Sequence, residues 1–290
     1  SEQQAYLEKN RDFDMAYELD DVGRFRCNFL YQHHGIGAVF RIIPTKILTL
    51  EDLKLPEAVK TVAEFNKGLV LVTGPTGSGK STTLAAIIDY INERRDAHII
   101  TIEDPLEFVH LNKKCIFTQR EIGSHANSFA KALEVASRED PNIILVGEMR
   151  DLETISLALT CAELGILVFG TLHTNSAPKT IDRIINAFPA DQQGQTRTML
   201  SESLRAVVAQ QLVKTKDGKG RRAAVEILIG SPALANMIRE AKFSQIDSLI
   251  QTGSTSGMQS MDQHLKQLIE EDEITREAAH EKAIDKNLFA

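Results

Sequence analysis

Short apolar runs at 68–73, 98–102, 143–147 and 167–170 punctuate the middle of the chain. Amphipathic stretches predicted as helices lie between them, at 80–94, 128–138 and 152–164. Strands alternating with helices predict an α/β fold with a parallel, doubly wound sheet. Uninterrupted strands such as Ile143-Ile144-Leu145-Val146 fit burial on both faces. Upstream, residues 23–30 alternate with period two. Phe25, Cys27 and Phe29 share one face; Arg24, Arg26 and Asn28 share the other. A second strand, 37–43, follows a Gly-containing turn. Residues 44–49 read as a linker, and 50–65 as helical with a break at Pro56. Downstream, 191–214 is predicted as one long helix, with Met199, Leu200, Leu204, Val207, Val208 and Leu212 on a stripe. A turn at 215–222, a strand at 222–229 and helices to the end complete the reading. Ser260 with Gln263 forms a capping box, and Thr275 is an N-cap. The expected organisation is an N-terminal piece at 1–43, the linker, a large domain at 50–250 and a helical region at 251–290.

Composition narrows the class. The 290 residues are 42% hydrophobic and 25% charged, the make-up of an ordinary globular chain. The net charge of −7 and the absence of tryptophan argue against a nucleic-acid groove, and no nucleic-acid partner is expected. Cys27, Cys115 and Cys161 lie far apart and are odd in number, so they are expected as small buried residues in a reducing compartment. No apolar run approaches the ~20 residues needed to span a bilayer, and no signal-peptide layout is present. Action at a membrane is expected to go through a partner, without direct insertion.

The strongest chemical signal is Gly74-Pro75-Thr76-Gly77-Ser78-Gly79-Lys80-Ser81, followed by Thr82. It matches the phosphate-binding pattern G-x-x-x-x-G-K-[ST] at every fixed position, between a strand and a helix. Glycines let successive N–H groups point at one anion, and the helix N-terminus adds positive potential. Lys80 is expected on the β- and γ-phosphates of ATP, and the Ser81 hydroxyl on Mg²⁺.

Hydrolysis also needs a carboxylate at a strand end beside that loop. Glu148 directly follows the strand at 143–147; Glu103 and Asp104 follow the strand at 98–102. Asp104-Pro105 also reads as a turn, and Glu107 is a weaker candidate.

These motifs and their order resemble those of the secretion and type IV pilus motor ATPases. Residues 101–110 resemble that family's Asp box, 140–151 its atypical Walker B with Gly147-Glu148 at the end, and 165–175 its His box. The resemblance runs from about Gly23 to the C-terminus. It implies a RecA-like P-loop core with a partial PAS-like N-terminal domain. That N-terminal domain is longer in the family than what precedes Pro44, so a truncated or processed N-terminus is expected. The resemblance further implies Glu148 as catalytic glutamate, Glu103 as a positioner of Mg²⁺ or water, and His173 as a γ-phosphate sensor. Arg24, Arg26 and Arg41 would reach the nucleotide at a neighbouring interface, a role that suits the planar guanidinium fork. The metal set would be Ser81, Glu103 and Asp104. The expected protein is a cytoplasmic homohexamer, peripheral at the inner membrane, that uses ATP and Mg²⁺ to retract type IV pili through a platform protein.

Two positions depart from the pattern: Ile166 stands where the His box usually has a histidine, and Ala235 where the retraction branch has an arginine. No four-cysteine zinc insertion is present, unlike the assembly ATPases. Another motor of the same superfamily, or a RecA-type nucleic-acid motor, are the alternatives. A non-hydrolysing scaffold would be expected to lack Glu148 or Lys80, and both are present.

Overall fold

A computed structural model of the chain describes all residues except Ser1, Asp21, Pro44 and Thr45. Helix α1 (Glu2–Asn10) leads into an antiparallel sheet of β1 (Asp12–Leu19), β2 (Gly23–Gln32) and β3 (Gly35–Ile43), in that order. The expected linker at 44–49 begins outside the described residues. Next come α2 (Glu57–Ala63), β4 (Gly68–Thr73), α3 (Lys80–Asn92), β5 (His98–Glu103) and β6 (Ile116–Glu121). They are followed by α4 (Phe129–Ala136), β7 (Ile143–Val146), α5 (Leu152–Glu163), β8 (Leu167–Leu172), α6 (Ala177–Asn186) and α7 (Gln193–Ser203). Strands β9 (Leu204–Lys214) and β10 (Arg221–Ile229) precede α8 (Pro232–Arg239), α9 (Ile246–Thr252), α10 (Met261–Glu270) and α11 (Arg276–Lys282).

Strands β4 to β10 form one seven-stranded sheet in the order β10-β9-β4-β8-β7-β5-β6. All neighbours run parallel except β9 and β10, so the sheet is mixed where an all-parallel one was expected. The pleat sorts its side chains between two cores. Leu69, Leu71, Ile144 and Val146 join the core under α4 to α9; Val70, Val72, Ile143 and Leu145 join the core under α2 and α3. Burial on both faces is why these strands read as unbroken apolar runs. A third cluster ties Val213 and Ala224 to α10 and α11. The capping box at Ser260 and the N-cap at Thr275 both form.

The long helix expected over 191–214 is corrected: it stops at Ser203, and 204–214 is strand β9. Residues 204–209 are apolar or small at almost every position, so a period of 3.6 and a period of 2 both fit them. Pairing decides the outcome. β9 lies between β4 and β10, and a helix there would leave β4 with a bare row of backbone donors and acceptors inside the protein. The 50–65 helix likewise shrinks to α2, because the stretch before Pro56 forms turns. Helices α1 and α6 and strands β1 and β6 were absent from the expected set. β1 carried the signal: Phe13, Met15, Tyr17 and Leu19 alternate with polar or small residues. All three cysteines are free and buried, as expected. No helix among the described residues is long and apolar enough to cross a membrane.

Candidate nucleotide site

The phosphate-binding loop leaves the fully buried β4 and enters α3. Gly74, Gly77 and Gly79 have φ of +146°, +77° and +86°, a region that side chains rarely tolerate. At Gly74 space is also closed: a Cβ would come within 2.2 Å of the Gln210 carbonyl oxygen. Gln210, on β9 and 2% exposed, supports the loop from beneath. Its Nε2 donates to the Ser78 carbonyl at 2.7 Å, and its Oε1 accepts from Thr83 Oγ1 at 2.8 Å. Lys80 Nζ donates to the Gly74 and Pro75 carbonyls at 2.9 and 3.1 Å, so its ammonium is held over its own loop. Burial pulls its pKa below the usual lysine value, partly offset by the nearby Glu148 and Glu107 carboxylates. Ser78 Oγ is buried without a hydrogen-bond partner. These features fit a loop made for an anion: glycines at positive φ, an orphaned buried hydroxyl and an ammonium whose hydrogen bonds go to loop carbonyls.

Three strand ends bring carboxylates to the same edge of the sheet. Glu148 follows β7. Its Oε1 is 2.9 Å from His173 Nε2, just past β8, and its Oε2 is 2.6 Å from Arg150 Nη2. Thr171 holds that peptide in place: its Oγ1 donates to the Gly147 carbonyl, and its carbonyl accepts from Met149 N–H at 3.0 Å. Burial alone would raise the Glu148 pKa; the bond and charge of Arg150, with His173, outweigh it and leave it below the usual carboxylate value. An ionised carboxylate held by an imidazole and a guanidinium is chemically able to orient a water and accept its proton.

Glu103 ends β5, and burial pushes its pKa up to about 7, against a hydrogen bond from Thr101, a backbone bond at Glu107 and the charge of Arg24. Gly147 lets the strands close here. A Cβ at that position would lie 3.1 Å from the Ile102 oxygen and 3.2 Å from Glu103 Cα. A side chain at 147, such as the aspartate that usually ends such a strand, would crowd β5 and require it to give by a few tenths of an ångström. Asp104 is exposed, in the field of Arg150. No group of three or more His, Cys, Asp or Glu that could hold a metal occurs among the described residues. A magnesium ion here would therefore depend on the Ser81 hydroxyl, nearby carboxylates and the phosphates themselves, the usual manner of that ion.

The three arginines separate. Arg24 is largely buried and reaches across to its own chain's large sheet, where Nη2 meets Glu121 Oε2 at 3.4 Å. Glu121, at the end of β6, also accepts from Leu106 N–H at 3.0 Å. Arg26 and Arg41 lie directly opposite each other on β2 and β3, and neither makes an ion pair among the described residues. Like charges facing across a ladder are unfavourable unless an anion lies between them.

Sequence reasoning missed Gln210, Arg150, Thr171 and Glu121. Gln210-Gln211, a polar pair within the apolar run 206–213, was the available signal for the first. Glu121 sits on a strand that was not foreseen.

A loop of this kind, on this sheet, with a strand-end glutamate beside it, defines a P-loop nucleotide-binding protein. The model of the Type II/IV secretion system protein family matches residues 10–288, and the chain belongs to that family. It is 57% identical over 281 residues to the "Twitching motility protein" of Neisseria gonorrhoeae, covering 97% of this chain and 75% of that one. It is also 57% identical over 277 residues to the "Type IV pilus retractation ATPase PilT" of Pseudomonas aeruginosa, covering 96% and 80%. A solved structure, the "Pilus Retraction Motor PilT and Bound ADP", superposes with a TM-score of 0.92 at 47% identity, covering 99% of this chain and 82% of that chain. This chain is an ATP-hydrolysing, PilT-like member of the family.

Proposed function

We propose that this protein is the Mg²⁺-dependent ATPase motor of type IV pilus retraction. The observation that carries the catalytic part is the Glu148 carboxylate, held between His173 and Arg150 at the strand end and within the electrostatic reach of Lys80. Residues 74–82 bind the phosphates through backbone N–H groups, and Lys80 turns from its loop carbonyls to the β- and γ-phosphates. Ser81 would hold Mg²⁺, with Glu103 and Asp104 near it; when bound, the ion neutralises charge across the β- and γ-phosphates. Glu148 orients the attacking water and accepts its proton. The water oxygen bonds to the γ-phosphorus as the bond to the β–γ bridging oxygen breaks, leaving ADP and phosphate. His173 stabilises the Glu148 carboxylate and reports the state of the γ-phosphate.

The retraction role rests on the two relatives named for twitching motility and pilus retraction. The reading includes a homohexamer, which Arg26 and Arg41 support: they face each other with no ion pair among the described residues and suit an anion presented by a neighbouring protomer. Hydrolysis would release that contact, and the small sheet would move against the large one, passing load to a platform protein in the inner membrane. The working compartment is then the cytoplasm. Ile166 is buried in the core, so the family's histidine contact at that position is replaced by apolar packing.

Glu148→Gln tests the core of this reading. Turnover is expected to fall about 10²- to 10⁴-fold with nucleotide binding retained. Normal turnover in that variant would remove Glu148 from the mechanism. Light scattering with ATP and Mg²⁺ is expected to show six copies; a monomer under all nucleotide conditions would exclude the ring.

A further inference from the structure

Helix α6 turns Ala177, Ile181, Ile184 and Ile185 into the core, and one fully buried residue of that helix is polar: Thr180. Burying a hydroxyl is unfavourable unless its hydrogen bonds are met. Thr180 Oγ1 donates to the Ser176 carbonyl at 2.8 Å. It lies 2.7 Å from Thr174 Oγ1 and 3.4 Å from the fully buried Thr73 Oγ1. A hydroxyl has one proton and two lone pairs. With the proton on Ser176, the lone pairs are left to Thr174 and Thr73.

These partners adjoin the nucleotide site on two sides. Thr73 is the last residue of β4, and Gly74 of the phosphate loop follows it. Thr174 and Ser176 belong to the segment that joins β8 to α6, directly after His173. The His173 side chain is 48% exposed, yet its Nε2 sits 2.9 Å from Glu148 Oε1. A ring that open to solvent is not held by packing, so its place depends on the backbone that carries it. The helix behind that backbone is anchored: Glu226 of β10 accepts from the N–H of Ala177, the first residue of α6, at 2.7 Å. Thr180 thus stands on a fixed helix and meets the end of β4 and the His173 segment at one point. Valine has nearly the same shape and needs no partners, so what the threonine adds is this junction alone.

We propose that Thr180 is a positioning residue for ATP hydrolysis: its hydroxyl holds the His173 segment in register with the end of β4, so that His173 and Glu148 face the γ-phosphate gripped by the loop. The proposal rests on the function given above. Thr180 itself touches no nucleotide. A displaced His173 leaves the phosphate loop intact, so the hydroxyl acts on kcat and not on nucleotide affinity.

The test measures ATP turnover and ADP binding on variants of the full chain. Thr180→Val is expected to lower kcat about tenfold, with ADP affinity within about twofold of the parent. Thr180→Ser keeps the hydroxyl and is expected to retain kcat within about threefold. On the residual turnover of His173→Ala, adding Thr180→Val is expected to cost nothing more, because the group it positions is gone. Unchanged kcat in Thr180→Val, equal losses in the valine and serine variants, or a loss shared by kcat and ADP affinity would overturn the proposal. A full further loss in the His173→Ala background would overturn it too. Should Thr180→Val fail to fold, Thr174→Val decides, since it removes the junction at a half-buried position. Its kcat is expected to fall about threefold or more, and an unchanged kcat there would sink the idea. Normal turnover by Glu148→Gln would instead overturn the reading of the site, whatever the Thr180 variants do.

Discussion

The large sheet and the small one treat their apolar side chains in opposite ways. In the large sheet β4, β7 and β8 bury every residue, and Phe169 at their centre is fully enclosed. In the small sheet the matching positions stay open: Ile36, Phe40 and Ile42 of β3 are 58, 56 and 73% exposed. The large sheet is stabilised by its own two cores and can hold Glu148, His173 and the loop rigidly. The small sheet has one mixed-charge side, with Asp12, Asp14 and Glu18 of β1 beside Arg24, Arg26 and Arg41, and one incompletely covered apolar side; its clearest ionic tie to the large sheet is Arg24 on Glu121. Under the proposed function, the large sheet would perform the chemistry and the small one would respond to it, as a hinge-type motor requires.

The largest effect should come from the centre. Phe169→Ala is expected to cost about 3–5 kcal/mol by chemical denaturation, against about 1 kcal/mol or less for Phe40→Ala. Comparable losses at both sites would show that the small sheet is as integral to stability as the large one.

Next is the attachment. Arg24→Ala leaves a buried carboxylate at Glu121 without its cation, a loss of about 2 kcal/mol. It should appear as faster proteolysis of the segment before Ile47, with melting of the large unit little changed. If the whole protein melts lower by the same amount, the two regions are not separable and the hinge argument fails.

The smallest effect concerns pH at the edge of the large sheet. Glu226 on β10 is 2% exposed and accepts from Ala177 N–H at 2.7 Å. Burial lifts its pKa to about 7, against the Ala177 and Met261 backbone bonds, with Asp247 and Asp262 adding to the rise. A raised carboxylate favours the folded state fully only below its unfolded pKa, and that advantage is lost as pH climbs through about 7. Glu226→Gln should therefore melt about 2–6 °C above the parent at pH 8, with the gap closing toward pH 5. A constant gap across that range would mean that Glu226 keeps its charge throughout.

Much of this site was legible in order along the chain. The glycine spacing of 74–79, Lys80, and a glutamate at the end of a four-residue apolar strand are local patterns, and local patterns survive being read in one dimension. The element from 204 to 214 was not legible, since its side chains satisfy two periods at once. Only pairing with β4 and β10 selects one. Gln210 was lost with it, although it holds the loop at Ser78 and the first turn of α3 at Thr83.

The sequence by itself determined the alternation of strands and helices, the phosphate loop and the candidate carboxylates. Each depends on neighbours a few residues apart, whose geometry is set by the backbone. Tertiary structure alone decided that the sheet is mixed, that Arg24 lands on Glu121, that Arg150 and His173 share Glu148, and that β9 overhangs the loop beside α11. Those arrangements join residues distant in the chain, and they exist only once burial and hydrogen-bond pairing have chosen which elements lie side by side.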